Sequence, residues 1–186
     1  MNKNVSLIPL EENDREQFII DNQKAFKYGA TEEFGMRDNH VNSDGEIISR
    51  KTIERCINKN NSETYRIMLN EEKVGGVIIS INKEKKRGEL EILYVSPEFH
   101  SKGIGYTTWC LIEKMHPEIK IWETITPYFE KRNIHFYVNR CGFHITKFYN
   151  EYYKQKHDEN EVTESEEEDE DGEGDFDMFY FEKIIE

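Results

Sequence analysis

The 186-residue chain has no run of about 18 apolar residues, so no membrane-crossing helix is expected. Its start, MNKNVSLIPLEEND, lacks an apolar leader core. Cysteine is scarce: Cys56, Cys110 and Cys141 form an odd set without metal-type spacing. That argues against a disulfide framework and fits reduced thiols in the cytoplasm. Cys141 reads as a small buried hydrophobe or as a nucleophile. His116, His135, Cys141 and His144 straddle different elements, with no HxxxH or CxxC, so no metal centre is expected. No GxxxxGK[ST] loop is present, and the third glycine of a dinucleotide fingerprint is replaced by Thr108. Ser101 has no GxSxG context, which excludes that kind of hydrolase.

Basic excess is also missing. The formal net charge is −13, but residues 158–177 hold thirteen Asp and Glu and no Lys or Arg. Without them, 25 acids face 25 bases, so the acidity belongs to one segment. Nothing suggests a nucleic-acid surface. The acidic segment is poor in apolar residues and is expected to be a disordered loop over about 156–176. Its piece Asp169-Glu170-Asp171-Gly172-Glu173-Gly174 is calcium-loop-like, but the twelfth position is Tyr180 where a Glu is required.

What is present is a succession of short periodic segments within one domain spanning 1–186. A strand is expected at Val5 to Leu10. A helix follows over Glu11 to Phe26, with Asn13 or Asp14 as cap. Gly29 to Gly45 reads mostly as loop. Ser49 caps a second helix to Asn58. Thr64–Leu69 and Lys73–Asn82 form a hairpin around Asn70-Glu71-Glu72. Gly75-Gly76 inside its second strand signals close packing or a bulge. Further strands are expected at Glu89–Val95, Ile119–Ile125, Phe143–Asn150 and Met178–Ile185. Helices are expected at Gly103–His116 and Phe129–Arg140, the latter ending at Gly142.

The stretch from Glu89 to His116 organises the rest. A strand runs into the polar connection Ser96 to Lys102, then a helix opens on Gly103-Ile104-Gly105. Amides at a helix start point outward, and the macrodipole adds partial positive charge. Glycine lets an anion approach the backbone. Either this is a phosphate cradle or it is a tight strand-to-helix turn.

Leu93 to Gly105, read as LYVSPEFHSKGIG, resembles motif A of the GNAT family of N-acetyltransferases: a hydrophobic strand, V-x-P, then [QR]-x-x-G-x-[GA]. His100 stands where the family has Gln or Arg. Asn133 to Phe143, read as NIHFYVNRCGF, resembles the family's N-x-x-x-x-x-Y-x-k-x-G-F segment, with Tyr137 five residues before Gly142 where four is commoner. The resemblance covers roughly residues 89–149. It implies an α/β fold with a mixed sheet, helices on both faces, and the order β-α-α-β-β-β-α-β-α-β-β.

The resemblance also implies transfer of an acetyl group from acetyl-CoA to an amine. The co-substrate would lie against Leu93 and Val95, with its diphosphate on the amides of Ser101, Lys102, Gly103, Ile104, Gly105 and Tyr106, and with His100 of the same loop also in the binding set. Asn133 would bond its arm, or else serve as a helix cap or surface amide. Glu89 and Glu91 lie two apart, hence on one strand face, away from Leu90, Ile92 and Tyr94. Either is a candidate base with a pKa raised in a half-dry cleft, and a water chain is the third option. Tyr137 is the candidate donor to the leaving thiolate, or a core aromatic. Asn133 and Tyr137, at i and i+4, share a helix face. By the same resemblance, Glu32, Glu33, Phe34, Met36 and Arg37 line the acceptor pocket, or form a solvated connector. The acceptor would be a small-molecule or peptide amine. A silent acyl-CoA-binding sensor or interaction module is the competing class. Oligomeric state is unreadable, and a homodimer is compatible with the chain.

Overall fold

The computed structural model describes residues 4–29, 45–153 and 177–186. The acceptor-wall candidates Glu32, Glu33, Phe34, Met36 and Arg37, and all of the acidic run before Asp177, lie outside them.

The elements are β1 (Val5–Pro9), α1 (Arg15–Tyr28), α2 (Arg50–Asn58), β2 (Ser62–Leu69), β3 (Glu72–Asn82), β4 (Arg87–Val95), α3 (Ile104–Met115), β5 (Ile121–Pro127), α4 (Lys131–His135), β6 (His144–Tyr149) and β7 (Met178–Ile184). This is the expected order. The seven strands form one mixed sheet in the order β1-β2-β3-β4-β5-β7-β6. Every pairing is antiparallel except β4 with β5. No helix among the described residues is long and apolar enough to cross a membrane.

Local chemistry accounts for the ends. Ser49 Oγ accepts from the Thr52 amide at 3.0 Å and starts α2. Asn70 and Glu71 both take positive φ, 50° and 74°, the conformation a two-residue hairpin turn requires. Gly75 and Gly76 are close-packing positions. A Cβ on Gly75 would lie 2.3 Å from the Tyr94 carbonyl oxygen, and one on Gly76 2.3 Å from the Phe18 ring.

Two cores flank the sheet. On one face α1 and α2 bury Phe18, Ile19 and Ile53 against Ile78, Ile92 and Tyr94. On the other, Trp109 and Ile112 of α3 meet Val77, Ile79, Leu90, Trp122 and Phe181. Each large side chain so buried contributes roughly 1.5–3 kcal/mol. Arg66, 1% exposed, ties α1 to the sheet. It donates to Asp14 (2.8 and 3.1 Å), to Asp21 (2.9 Å) and to the Tyr94 hydroxyl (2.9 Å). A buried charge persists only with such partners.

Three expectations need correction. Asp14 does not cap α1 with its side chain, because its carboxylate is taken by Arg66 and Lys73. The helix therefore starts at Arg15, after a 3-10 turn over Glu12–Asp14. The helix expected over Phe129–Arg140 is shorter and irregular. Pro127 and Phe129 carbonyls accept from Glu130 and Lys131, holding a turn there. Helix α4 spans only Lys131–His135, and Phe136–Cys141 continue it as a π turn.

The third correction concerns Glu91. Ile78 faces Ile92, but Ile79 faces Leu90, so Glu91 is an extra residue, a β-bulge. A bulge reverses the inside-outside alternation. Leu90 therefore packs under α3, while Ile92 and Tyr94 pack with α1, on the side of Glu89 and Glu91 rather than opposite them.

Candidate active site

β4 and β5 pair over only three positions, Arg87 with Ile121, Gly88 with Trp122 and Glu89 with Glu123. Beyond them the two strands part. The Thr124 hydroxyl donates to the Leu90 carbonyl at 2.9 Å, at the point of separation. Among the described residues no strand pairs with this side of β4 past Glu89. Leu93 and Val95 lie along that open stretch. Their side chains pack on the α3 side, because the bulge has turned them there.

The opening leads to the start of α3. A 3-10 turn, Pro97–Phe99, uses the amides of Phe99 and His100, bonded to Ser96 and Pro97 carbonyls. Ser101 and Gly103 then take positive φ, 59° and 77°, and reverse the chain into the helix. The first helical bond runs from Thr107 N to Gly103 O. The amides of Ile104, Gly105 and Tyr106 precede it and point along the helix axis. Gly105 faces the Phe136 ring, 3.5 Å from where a Cβ would stand. Lys102 folds back. Its ammonium donates to Glu98 O at 2.9 Å and lies 4.5 Å from the Phe99 ring centroid.

His100 braces this loop. Its Nε2 bonds the Val95 carbonyl at 2.8 Å, and its Nδ1 meets an Arg132 nitrogen at 3.1 Å. Its ring packs edge-on to Tyr28 of α1.

Glu89 and Glu91 share one cation. Lys59, the residue ending α2, donates to Glu89 at 2.9 Å and to Glu91 at 2.6 Å. Ser80 also donates to the same Glu91 oxygen, at 2.8 Å. Burial raises the Glu89 carboxyl above its usual range, Glu91 pushes in the same direction, and Lys59 opposes both. Glu123 behaves differently. Burial works against its ionised form, but hydrogen bonds from Arg87 and Tyr180 outweigh it and lower its pKa.

Tyr137 is buried, with Phe136, Phe143 and Phe181 rings 5.4–5.8 Å away. Burial pushes its phenol up to about 12, and its side chain meets Thr124 of β5. Asn133 Nδ2 lies 3.4 Å from Thr126 Oγ1. Asn133 and Tyr137 thus meet β5 at alternate buried threonines, on the shared face their spacing indicated. The π turn explains the long step from Tyr137 to Gly142. One extra residue is looped in before Gly142 takes positive φ (81°), and Phe143 N closes on Tyr137 O. Cys141 sits in the core, and burial raises its thiol to about 12, which does not suit a nucleophile.

The expected residues thus fall into three groups around the opening. The start of α3 lies at one end, Glu89 belongs to the last β4–β5 pair with Glu91 two residues on, and Tyr137 and Asn133 lie against β5. Four contributors were missed: Lys59, Ser80, Thr124 and Arg132. None carries a local signal, because each acts through a partner distant in sequence.

The acetyltransferase (GNAT) family model matches residues 27–143. An uncharacterized protein of Bacillus subtilis, YrkN, is 42% identical over 147 residues, 79% of this chain and 77% of that one. Among solved structures, the ribosomal-protein-S18-alanine N-acetyltransferase from Escherichia coli superposes with a TM-score of 0.63 at 14% identity, covering 98% of this chain and 94% of that chain. A spermidine N-acetyltransferase from Vibrio cholerae, in complex with CoA and spermine, gives 0.61 at 15% identity over 97% and 95%. The PaiA N-acetyltransferase from Thermoplasma acidophilum, in complex with coenzyme A, gives 0.59 at 18% identity over 98% and 99%. At such identities the superpositions speak for the fold. The family match, covering well over half of the chain with both motifs placed around one opening, decides the rest: this chain belongs to the acetyltransferase (GNAT) family.

Proposed function

We propose that the protein moves an acetyl group from acetyl-CoA to an amine by direct attack. One observation carries this reading: β4 is left without a strand partner on the β5 side past Glu89, and its chain then turns through Pro97–Phe99 into the amides that begin α3. A peptide-like arm fits an open strand edge, and a diphosphate fits a helix start. The amine nitrogen bonds the thioester carbon, and the carbon–sulfur bond breaks. Glu89 takes the amine proton, directly or through one water, and the departing thiolate takes a proton from Tyr137. A strand amide near Val95 is the proposed donor to the developing oxyanion. Glu89 is preferred over Glu91 as base because Glu91 is engaged by both Lys59 and Ser80. Two of the superposed structures are N-acetyltransferases of a ribosomal-protein-S18 alanine and of spermidine. A small-molecule or peptide amine is the acceptor class proposed here.

Thiol release from acetyl-CoA across an amine panel tests the reading. Turnover with at least one amine is expected, together with a raised melting temperature in CoA. Stabilisation by CoA without turnover would favour the second reading, a silent acyl-CoA-binding module. The burial of the Tyr137 side chain and its contact with Thr124 speak for that alternative.

Tyr137→Phe separates the two roles of this side chain. It removes one hydroxyl, so packing should survive. A general acid is typically worth ~10²- to 10⁴-fold, and kcat should fall on that scale. The Kd for acetyl-CoA should stay within a few-fold. With the phenol pushed up to about 12, no alkaline limb is expected from it below that range. Wild-type kcat in this variant would make Tyr137 a packing residue.

A further inference from the structure

We propose that Arg132 is an additional binding residue for the acyl donor, placing its guanidinium against the diphosphate at the first turn of α3. The inference rests on the acyl-CoA reading above and adds to it a group outside the 100–106 loop.

The geometry comes from one face of α4 and its continuation. Arg132 and Phe136 are four residues apart and therefore neighbours on that face. Phe136 lies against Gly105, at van der Waals distance from where a Cβ would be. Arg132 reaches His100, with 3.1 Å between Nη1 and the ring Nδ1. The same face thus touches the cradle at its first residue and again inside the first turn of α3. A guanidinium held at that first residue stands where a diphosphate entering the cradle would bring its charge.

The chemistry of His100 fixes the arrangement. The Val95 carbonyl only accepts, so His100 Nε2 carries the hydrogen. Arg132 only donates, so Nδ1 must accept. Held between these two partners, the ring fixes the guanidinium beside the loop. A guanidinium fork suits phosphate oxygens. Lys102, the cation inside the loop, is turned back onto Glu98 O and the Phe99 ring. In this chain the position that the resembled motif gives to Gln or Arg holds a brace, and the guanidinium arrives from α4.

Titration calorimetry on the full chain tests this with three probes: CoA, 3′-dephospho-CoA and S-acetylpantetheine. Arg132→Gln should weaken CoA and 3′-dephospho-CoA by the same factor, roughly 10- to 100-fold, the worth of a hydrogen bond to a charged group. It should leave S-acetylpantetheine unchanged, reduce the salt dependence of CoA binding, and leave the unliganded melting temperature in place. His100→Phe should lose part of the same factor, and adding it to Arg132→Gln should cost nothing more, since the brace then has nothing to hold. Equal CoA affinity in wild type and Arg132→Gln overturns the inference. So does a loss for CoA that 3′-dephospho-CoA does not share, which would put the guanidinium at the 3′-phosphate. Failure of the wild-type protein to bind CoA at all removes the acyl-CoA reading itself, a result distinct from either.

Discussion

Gly103→Asp is expected to bind CoA roughly a thousandfold more weakly than the wild-type protein. Gly103 has φ of +77°, and nothing lies within 4 Å of a Cβ built on it. A side chain therefore has room, and the steric cost is confined to the left-handed backbone, about 1–2 kcal/mol for an ordinary residue and less for Asn or Asp. The charge is the larger effect. Two like unit charges ~4 Å apart repel by about 4 kcal/mol at an effective dielectric of ~20. Gly103→Asn is the matched control. It carries the same backbone strain without the charge and should lose only a few-fold. An acid at a helix start favours the helix, so unliganded Gly103→Asp should keep most of its stability. If the Asp and Asn variants both bind CoA like wild type, the start of α3 is not the diphosphate site.

Glu89→Gln is expected to lower kcat/KM by ~10²- to 10⁴-fold, the usual worth of a general base. The pH profile carries the sharper information. Glu89 must lose its proton to act, so activity should rise with pH. Its midpoint should lie above the ~4.3 of an ordinary Glu, because burial and Glu91 both raise it. That limb should disappear in Glu89→Gln. Lys59→Met removes the cation that favours the ionised carboxyl, so the midpoint should move further up. Glu91→Gln removes a repelling charge, so it should move down. The same shift has a thermodynamic sign. A carboxyl raised in the folded state adds stability at low pH, and that contribution is lost as pH rises through its folded value. A limb that survives in Glu89→Gln and vanishes in Glu91→Gln would exchange the two roles. A limb surviving in both would leave the proton to water.

Much of this was legible because the signals were local. Ser49 before a helical run, Asn70-Glu71 between alternating strands and Gly103-Ile104-Gly105 after a strand each fix backbone geometry within a few residues. The parts that were not legible depend on register between distant segments. The bulge at Glu91 arises where β4 meets β3, and strict alternation along β4 gives no hint of it. Lys59 is an ordinary basic residue past a helix end until α2 docks and brings it to Glu89 and Glu91. Asp14 looked like a cap because Arg66, 52 residues away, was invisible as its partner. The division of the last helix into α4 and a π turn was half legible: the odd spacing of Tyr137 and Gly142 showed an extra residue without showing how it is absorbed.

The short parallel contact between β4 and β5 has a mechanical consequence. The sheet is two blocks, β1 to β4 and β5-β7-β6, joined in the backbone by three residue pairs and reinforced by Arg87, which reaches across to Glu123 and Glu182. An acyl donor seated along the open edge would act as a temporary strand. It would lengthen the seam while bound and shorten it on leaving. Binding and release would then insert and withdraw a piece of sheet, adding to the cohesion that the shared core of Leu90, Trp122 and Phe181 already gives the two halves.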